Sequence, residues 1–174
     1  MWKVLSLLLF MIHFEARIDA NTSVNCRQPP RHSCAFYTEC LEDTFHCGSN
    51  GYPLAFGYKF CHAFAEDASS FSPKGQTFLW DTMLCLEKGL VQPFITAASI
   101  TSQGTSTCAT IESYALSTHP QCYVDSGFCS LSIKDKLTLV KLILTHDVTG
   151  ILKQVIQQGL TTLDDCLKEL LDWL

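Results

Sequence analysis

Residues 71–89 read FSPKGQTFLWDTMLCLEKG, and this stretch decides the fold. Ser72 is suited to cap a helix N-terminus, because its hydroxyl oxygen can accept from one of the first free N–H groups. Pro73 follows it, and the first turn is where a proline sacrifices no hydrogen bond. Phe78, Leu79, Met83, Cys85 and Leu86 then recur at spacings that surround much of a helical circumference. A helix apolar on most sides belongs inside a molecule. The pattern predicts a central, buried helix running to about Lys88, with Gly89 as its stop.

The same reading extends in both directions. Upstream, Phe56, Phe60 and Phe64 follow at i, i+4 and i+8, so they share one helical face. Pro53 suits the first turn of that helix. The turn Gly48-Ser49-Asn50-Gly51 separates it from a short helix over 35–45, where Tyr37, Leu41 and Phe45 align with Cys34 one turn earlier. Pro29-Pro30 makes 21–33 an extended lead-in. Downstream, 92–104 reads as a loop broken by Pro93 and Gly104. A helix over 106–117 carries Cys108, Ile111 and Ala115 on one side, with Pro120 as its stop. Cys122 to Cys129 forms a short element containing Gly127. Ser132 with Asp135 is a cap signal, and Ile133, Leu137, Val140 and Leu144 follow at helical spacing. Asp147 caps a further helix through Ile151, Leu152, Val155 and Ile156, closed by Gly159. Thr162 with Asp165 opens a last one, with Leu163, Cys166, Leu167, Leu170 and Leu174 on one face. No stretch alternates with period 2. The expected fold is all-α: a compact bundle of six or seven short helices.

At the N-terminus, Lys3 precedes the apolar run VLSLLLFMIHF over 4–14. That run is too short to span a bilayer, which takes about 20 residues. A charge, a short apolar core and a small residue make a secretory signal peptide. Cleavage after Ala20 is expected, leaving 21–174 as a single secreted, extracellular domain without stable membrane insertion. Asn21-Thr22-Ser23 is a candidate glycosylation signal. The chain carries a net charge of −5 and its basic residues are scattered. Nucleic acid needs a concentrated positive surface, so it is excluded as a partner.

Ten cysteines fall after the leader: Cys26, Cys34, Cys40, Cys47, Cys61, Cys85, Cys108, Cys122, Cys129 and Cys166. An even number of thiols in an oxidising compartment pairs, so five disulfides should cross-link the bundle. The close Cys-x₂-Cys pairs of a zinc site are missing. Spacing leaves the connectivity open.

Around these cysteines stand Cys34-Ala35-Phe36-Tyr37-Thr38-Glu39-Cys40-Leu41-Glu42, and Gly75-Gln76-Thr77-Phe78 followed by Met83-Leu84-Cys85. Over roughly 26–170 the order of the cysteines and these two motifs resemble the stanniocalcins, secreted glycoprotein hormones with an all-helical core. The intervals Cys61–Cys85, Cys108–Cys122 and Cys122–Cys129 are similar to the family's. The intervals Cys47–Cys61 and Cys85–Cys108 are longer. The resemblance implies the pairs Cys26–Cys40, Cys34–Cys61, Cys47–Cys108, Cys85–Cys122 and Cys129–Cys166. It also implies a hormone-type protein that signals by binding an extracellular protein or receptor, with no catalysis and no cofactor, and a link to calcium and phosphate balance. The family's glycosylation signal is missing from Cys40-Leu41-Glu42-Asp43-Thr44, and so is the eleventh cysteine that joins two subunits. A covalent homodimer is therefore not expected, which leaves non-covalent association open.

Two other classes compete. The Phe56/Phe60/Phe64 stripe could line the pocket of a lipid-binding or membrane-active protein, although core packing is the usual use of such a stripe. His62, beside Cys61 and close to Asp67, faintly resembles the His-Asp pair of a secreted phospholipase, but the acid is displaced and the adjacent double cysteine is missing. No Ser sits in a Gly-x-Ser-x-Gly elbow. His32, His46, His62 and His119 are dispersed, Asp147 beside His146 suits a cap, and Asp164, Asp165, Glu169 and Asp172 suit a solvated helix face. No catalytic or metal site is expected.

Overall fold

The computed structural model describes residues 24–96, 105–146 and 152–172. The expected leader over 1–20, Asn21 and Asp147 lie outside them. Among the described residues the secondary structure is helical, with six helices and no strand. The first, α1, is Phe36–Glu42 continued by Asp43–Phe45; α2 is Pro53–Tyr58 continued by Lys59–Asp67; α3 is Pro73–Leu90 continued by Val91–Thr96. They are followed by α4 (Thr105–Asp125), α5 (Ile133–Thr145) and α6 (Leu152–Asp172). All of α1 up to Glu42, the start of α2 and the end of α3 are wound wider than an α-helix.

The stretch 71–89 forms the expected central helix. Ser72 Oγ accepts from the Gly75 N–H at 3.1 Å, and Pro73 occupies the first turn. Phe78, Leu79 and Leu90 are each at most 2 % exposed. Burying a side chain of that kind is worth about 1.5–3 kcal/mol. α3 packs on α4, α4 on α6, and α2 on α5. Five disulfides join these parts: Cys26–Cys40 and Cys34–Cys61 tie the lead-in and α1 to one another and to α2, and Cys47–Cys108 ties the end of α1 to the start of α4. Cys85–Cys122 ties α3 to α4, and Cys129–Cys166 ties the turn before α5 to α6.

The helix ends differ from expectation, for one recurrent reason. Gly89 does not stop α3, which continues to Thr96 so that Leu90 and Phe94 are buried, with the Phe94 ring edge-on to Phe45 at 6.2 Å. The expected loop from 92 is thus helical as far as Thr96, and 97–104 lie outside the described residues. Pro120 does not stop α4. Ile111, Ala115, His119 and Cys122 form one buried row across it, and the row is anchored by the bond to Cys85. Gly159 and Thr162 lie inside α6 rather than between two helices. Thr162 turns its hydroxyl back on the Gln158 carbonyl at 2.9 Å and is itself buried, so it caps nothing. In each case tertiary burial outweighs a local stop signal, whose cost in a helix interior is about 1 kcal/mol for glycine and about 3 for proline.

Asp135 joins two helix starts. Its N–H donates to Ser132 Oγ at 3.1 Å, which caps α5. Its carboxylate accepts from the Ser72 N–H (2.9 Å), the Ser72 hydroxyl (2.7 Å) and the Ser132 hydroxyl (2.8 Å). Gly75 is required beside it, because a Cβ there would lie 2.8 Å from Asp135 Oδ1. Burial pushes the Asp135 carboxyl up, but donation from Ser72 and Ser132, with Lys134 nearby, outweighs it and holds the group below its ordinary value. A lowered folded value means that the stabilisation is complete above the ordinary carboxylate range near pH 4 and is lost as pH falls through the lowered value. Asp135→Asn should therefore cost about 2 kcal/mol at pH 7, the size of a hydrogen bond to a charged acceptor. The gap between parent and variant in urea unfolding should narrow as pH falls below the ordinary carboxylate range. A gap that stays constant from pH 7 to pH 2 would contradict the role of the charge.

Candidate functional site

A cavity of about 290 Å³ lies where α2, α4, α5 and α6 converge. Phe60 and Phe64 of the predicted stripe are buried in the core and also form part of its wall, while half-buried Phe56 lies tilted against Phe60 with ring centres 4.6 Å apart. The stripe therefore serves as both core and pocket wall. Met83 and Leu86 of α3 add to the floor. Val140 and Leu144 of α5 and Ile156 of α6 line the cavity and are also 49–57 % exposed, so the mouth opens between these two helices.

His119 is the cavity's imidazole. It is 4 % exposed, and its Nδ1 lies 3.0 Å from Gln158 Oε1 of α6. An amide oxygen only accepts, so Nδ1 carries the hydrogen and Nε2 presents a lone pair. Nε2 is buried and has no hydrogen-bond partner among the described residues. The ring stacks on Phe56 (5.7 Å) and faces Tyr123 (6.0 Å). Burial lowers the His119 pKa to about 4, with the Gln158 bond opposing only part of that shift, and burial pushes the Tyr123 phenol up to about 12. At neutral pH both groups are uncharged.

A second feature runs from the cavity mouth over the outer surface. Ile133, Leu137, Val140 and Leu144, which the spacing placed on one face of α5, point outward, and Ile133 is 78 % exposed. The residues that α5 buries are Asp135, Leu139 and Leu142. On α6, Ile156, Leu160, Leu163, Leu167 and Leu171 are likewise exposed. Their intervals of four, three, four and four residues make a continuous apolar ridge.

The remaining candidates are dispersed. His62 is exposed on α2, 3.4 Å from Glu66 rather than engaged with Asp67, and it does not line the cavity. His32 lies on the Trp80 ring at 4.2 Å, beside the ion pair of Arg31 with Asp81. His46, in a left-handed conformation, ends α1, and His146 Nδ1 donates to the Leu142 carbonyl at 2.9 Å. On α6, Lys168 bridges Asp164 (2.6 Å) and Asp165 (3.1 Å). The place of His119 was missed in the sequence because Pro120 was read as a stop. Extending the row Ile111, Ala115 by one turn reaches it.

Neither a curated protein nor a solved structure matches this chain. The model of the stanniocalcin family matches residues 17–172, which takes in all ten cysteines and every helix described above. The chain belongs to the stanniocalcin family.

Proposed function

We propose that this chain is a secreted, hormone-type signalling glycoprotein that acts by binding an extracellular protein and performs no catalysis. The observation that carries the reading is the pair of exposed apolar ridges on α5 and α6. Contiguous apolar surface of this kind is characteristic of protein interaction sites, and an amphipathic ridge at helical spacing is a common form of them. The Cys129–Cys166 disulfide ties the turn before α5 to α6, so the surface is pre-formed. Membership of a hormone-type family and the absence, among the described residues, of a helix able to cross a membrane are consistent with it. The leader over 1–20 directs secretion, Asn21 carries the glycan, and calcium and phosphate balance is the physiological setting. Subunits associate, where they do so, without a covalent link.

The test is binding of the labelled, secreted protein to intact cells of the source organism. Saturable binding that unlabelled protein displaces is expected. Leu137→Glu together with Leu160→Glu should weaken it tenfold or more, because each places a charge on the ridge without touching the core. Binding that is non-saturable, or unchanged in the double variant, would contradict the proposal.

A further inference from the structure

We propose that the cavity binds a lipid alcohol, its apolar body held by the aromatic and aliphatic walls and its hydroxyl donating to His119 Nε2. The inference rests on the cavity and is independent of the protein partner proposed above.

Size and lining define the body. At about 290 Å³ the cavity has about twice the volume of an engineered apolar cavity of about 150 Å³ that stays dry and binds benzene. Among the described residues that line it there is no Lys, Arg, Asp or Glu. A charged head would therefore be buried without a counter-ion, which is costly. That disfavours fatty acids and amines alike.

The head group follows from one atom. His119 Nε2 is a buried acceptor with no hydrogen-bond partner among the described residues, and its tautomer is fixed by Gln158 Oε1. A ligand group facing it must donate a hydrogen. A hydroxyl does so without charge; an ether, an ester or an ionised carboxylate does not. The Thr162 hydroxyl, which also lines the cavity, is spent on the Gln158 carbonyl. The ligand enters between α5 and α6, past Val140, Leu144 and Ile156, where lining residues reach the surface.

The experiment titrates the full secreted protein, disulfides intact, at pH 7.4 with 1-decanol, its methyl ether, decanoic acid and cholesterol, followed by native mass spectrometry and calorimetry. Decanol should bind at least tenfold more tightly than the ether or the acid. His119→Phe keeps an aromatic ring at the site and removes the acceptor nitrogen; it should remove the preference for alcohol over ether while leaving the far-ultraviolet circular dichroism unchanged. Gly159 lines the cavity, and a Cβ there meets no atom within 4 Å, so Gly159→Phe should fold and lower decanol affinity tenfold or more by filling the mouth. Competition by cholesterol would assign the hydroxyl to a sterol, and lack of competition to a single-chain lipid; either agrees with the shared chemistry. The proposal is overturned if decanol does not bind, if the acid or the ether binds as tightly, or if folded His119→Phe retains the full preference.

Discussion

Replacing Cys47 and Cys108 together by alanine is expected to lower the free energy of unfolding by about 4 kcal/mol. The bond between them closes the longest loop of the five, with a separation of 61 residues, and that loop contains all of α2 and α3. In the chain-entropy treatment a cross-link stabilises by restricting the unfolded chain, and the effect grows slowly with loop size. The Cys26–Cys40 bond, with a separation of 14, should by the same reasoning be worth about 3 kcal/mol. Urea unfolding followed by circular dichroism separates the two, provided both members of a pair are replaced so that no free thiol remains. The account predicts a larger loss for the Cys47/Cys108 pair. Equal or reversed losses would mean that the unfolded chain keeps structure across the longer loop.

Glu87→Gln is expected to stabilise the protein by on the order of 3 kcal/mol at pH 7. Glu87 lies on α3, is 1 % exposed, and its Oε1 has no hydrogen-bond partner. Burial pushes its pKa up to about 8. The folded state therefore holds a proton that the unfolded chain releases near pH 4.5. The sign follows: stability declines as pH rises from about 4.5 to about 8 and levels off above that. Glutamine removes the titration while keeping the shape, so the gain should vanish below pH 4. His119 and Asp135 act in the opposite sense, because their folded values are lowered. Each loses its contribution as pH falls, His119 from 6.5 toward 4 and Asp135 below the carboxylate range. Unfolding free energies of parent and variant at pH 4, 6 and 8 check this, and an unchanged value at pH 7 and 8 would show that Glu87 reaches water or a partner.

Helix type and most starting points were legible in the sequence. Ser72-Pro73 and Ser132 cap α3 and α5 as their side-chain chemistry requires, and the apolar rows at helical spacing identify the helical class. Helix ends were not legible. Gly89, Pro120 and Gly159 are local stop signals, and each is overridden by residues beyond it that the core buries or that neighbouring helices hold. Periodicity also identifies a face without saying which way it points. On α5 the apolar row Ile133, Leu137, Val140 and Leu144 faces out, because Asp135 must reach the Ser72 cap and Leu139 and Leu142 must reach the core. That reversal is what exposes the ridge and places Val140 and Leu144 at the cavity mouth. Ten cysteines announce cross-linking, but their spacing is silent on which sulfurs meet. His119 was hidden for the simplest reason, being one residue before a proline.

The central claim is that every cysteine is used within one chain and that Cys129–Cys166 holds α6 in place. The position of α6 creates both the exposed ridge and one wall of the cavity. Peptide mass spectrometry of the full-length, oxidised protein, digested without reduction, tests it. The account predicts five intrachain links, among them the peptide of Cys129 joined to that of Cys166, from a chain that runs as a monomer in non-reducing denaturing gels. Cys129 bonded to any other cysteine, a free thiol, or a link between two chains would contradict it.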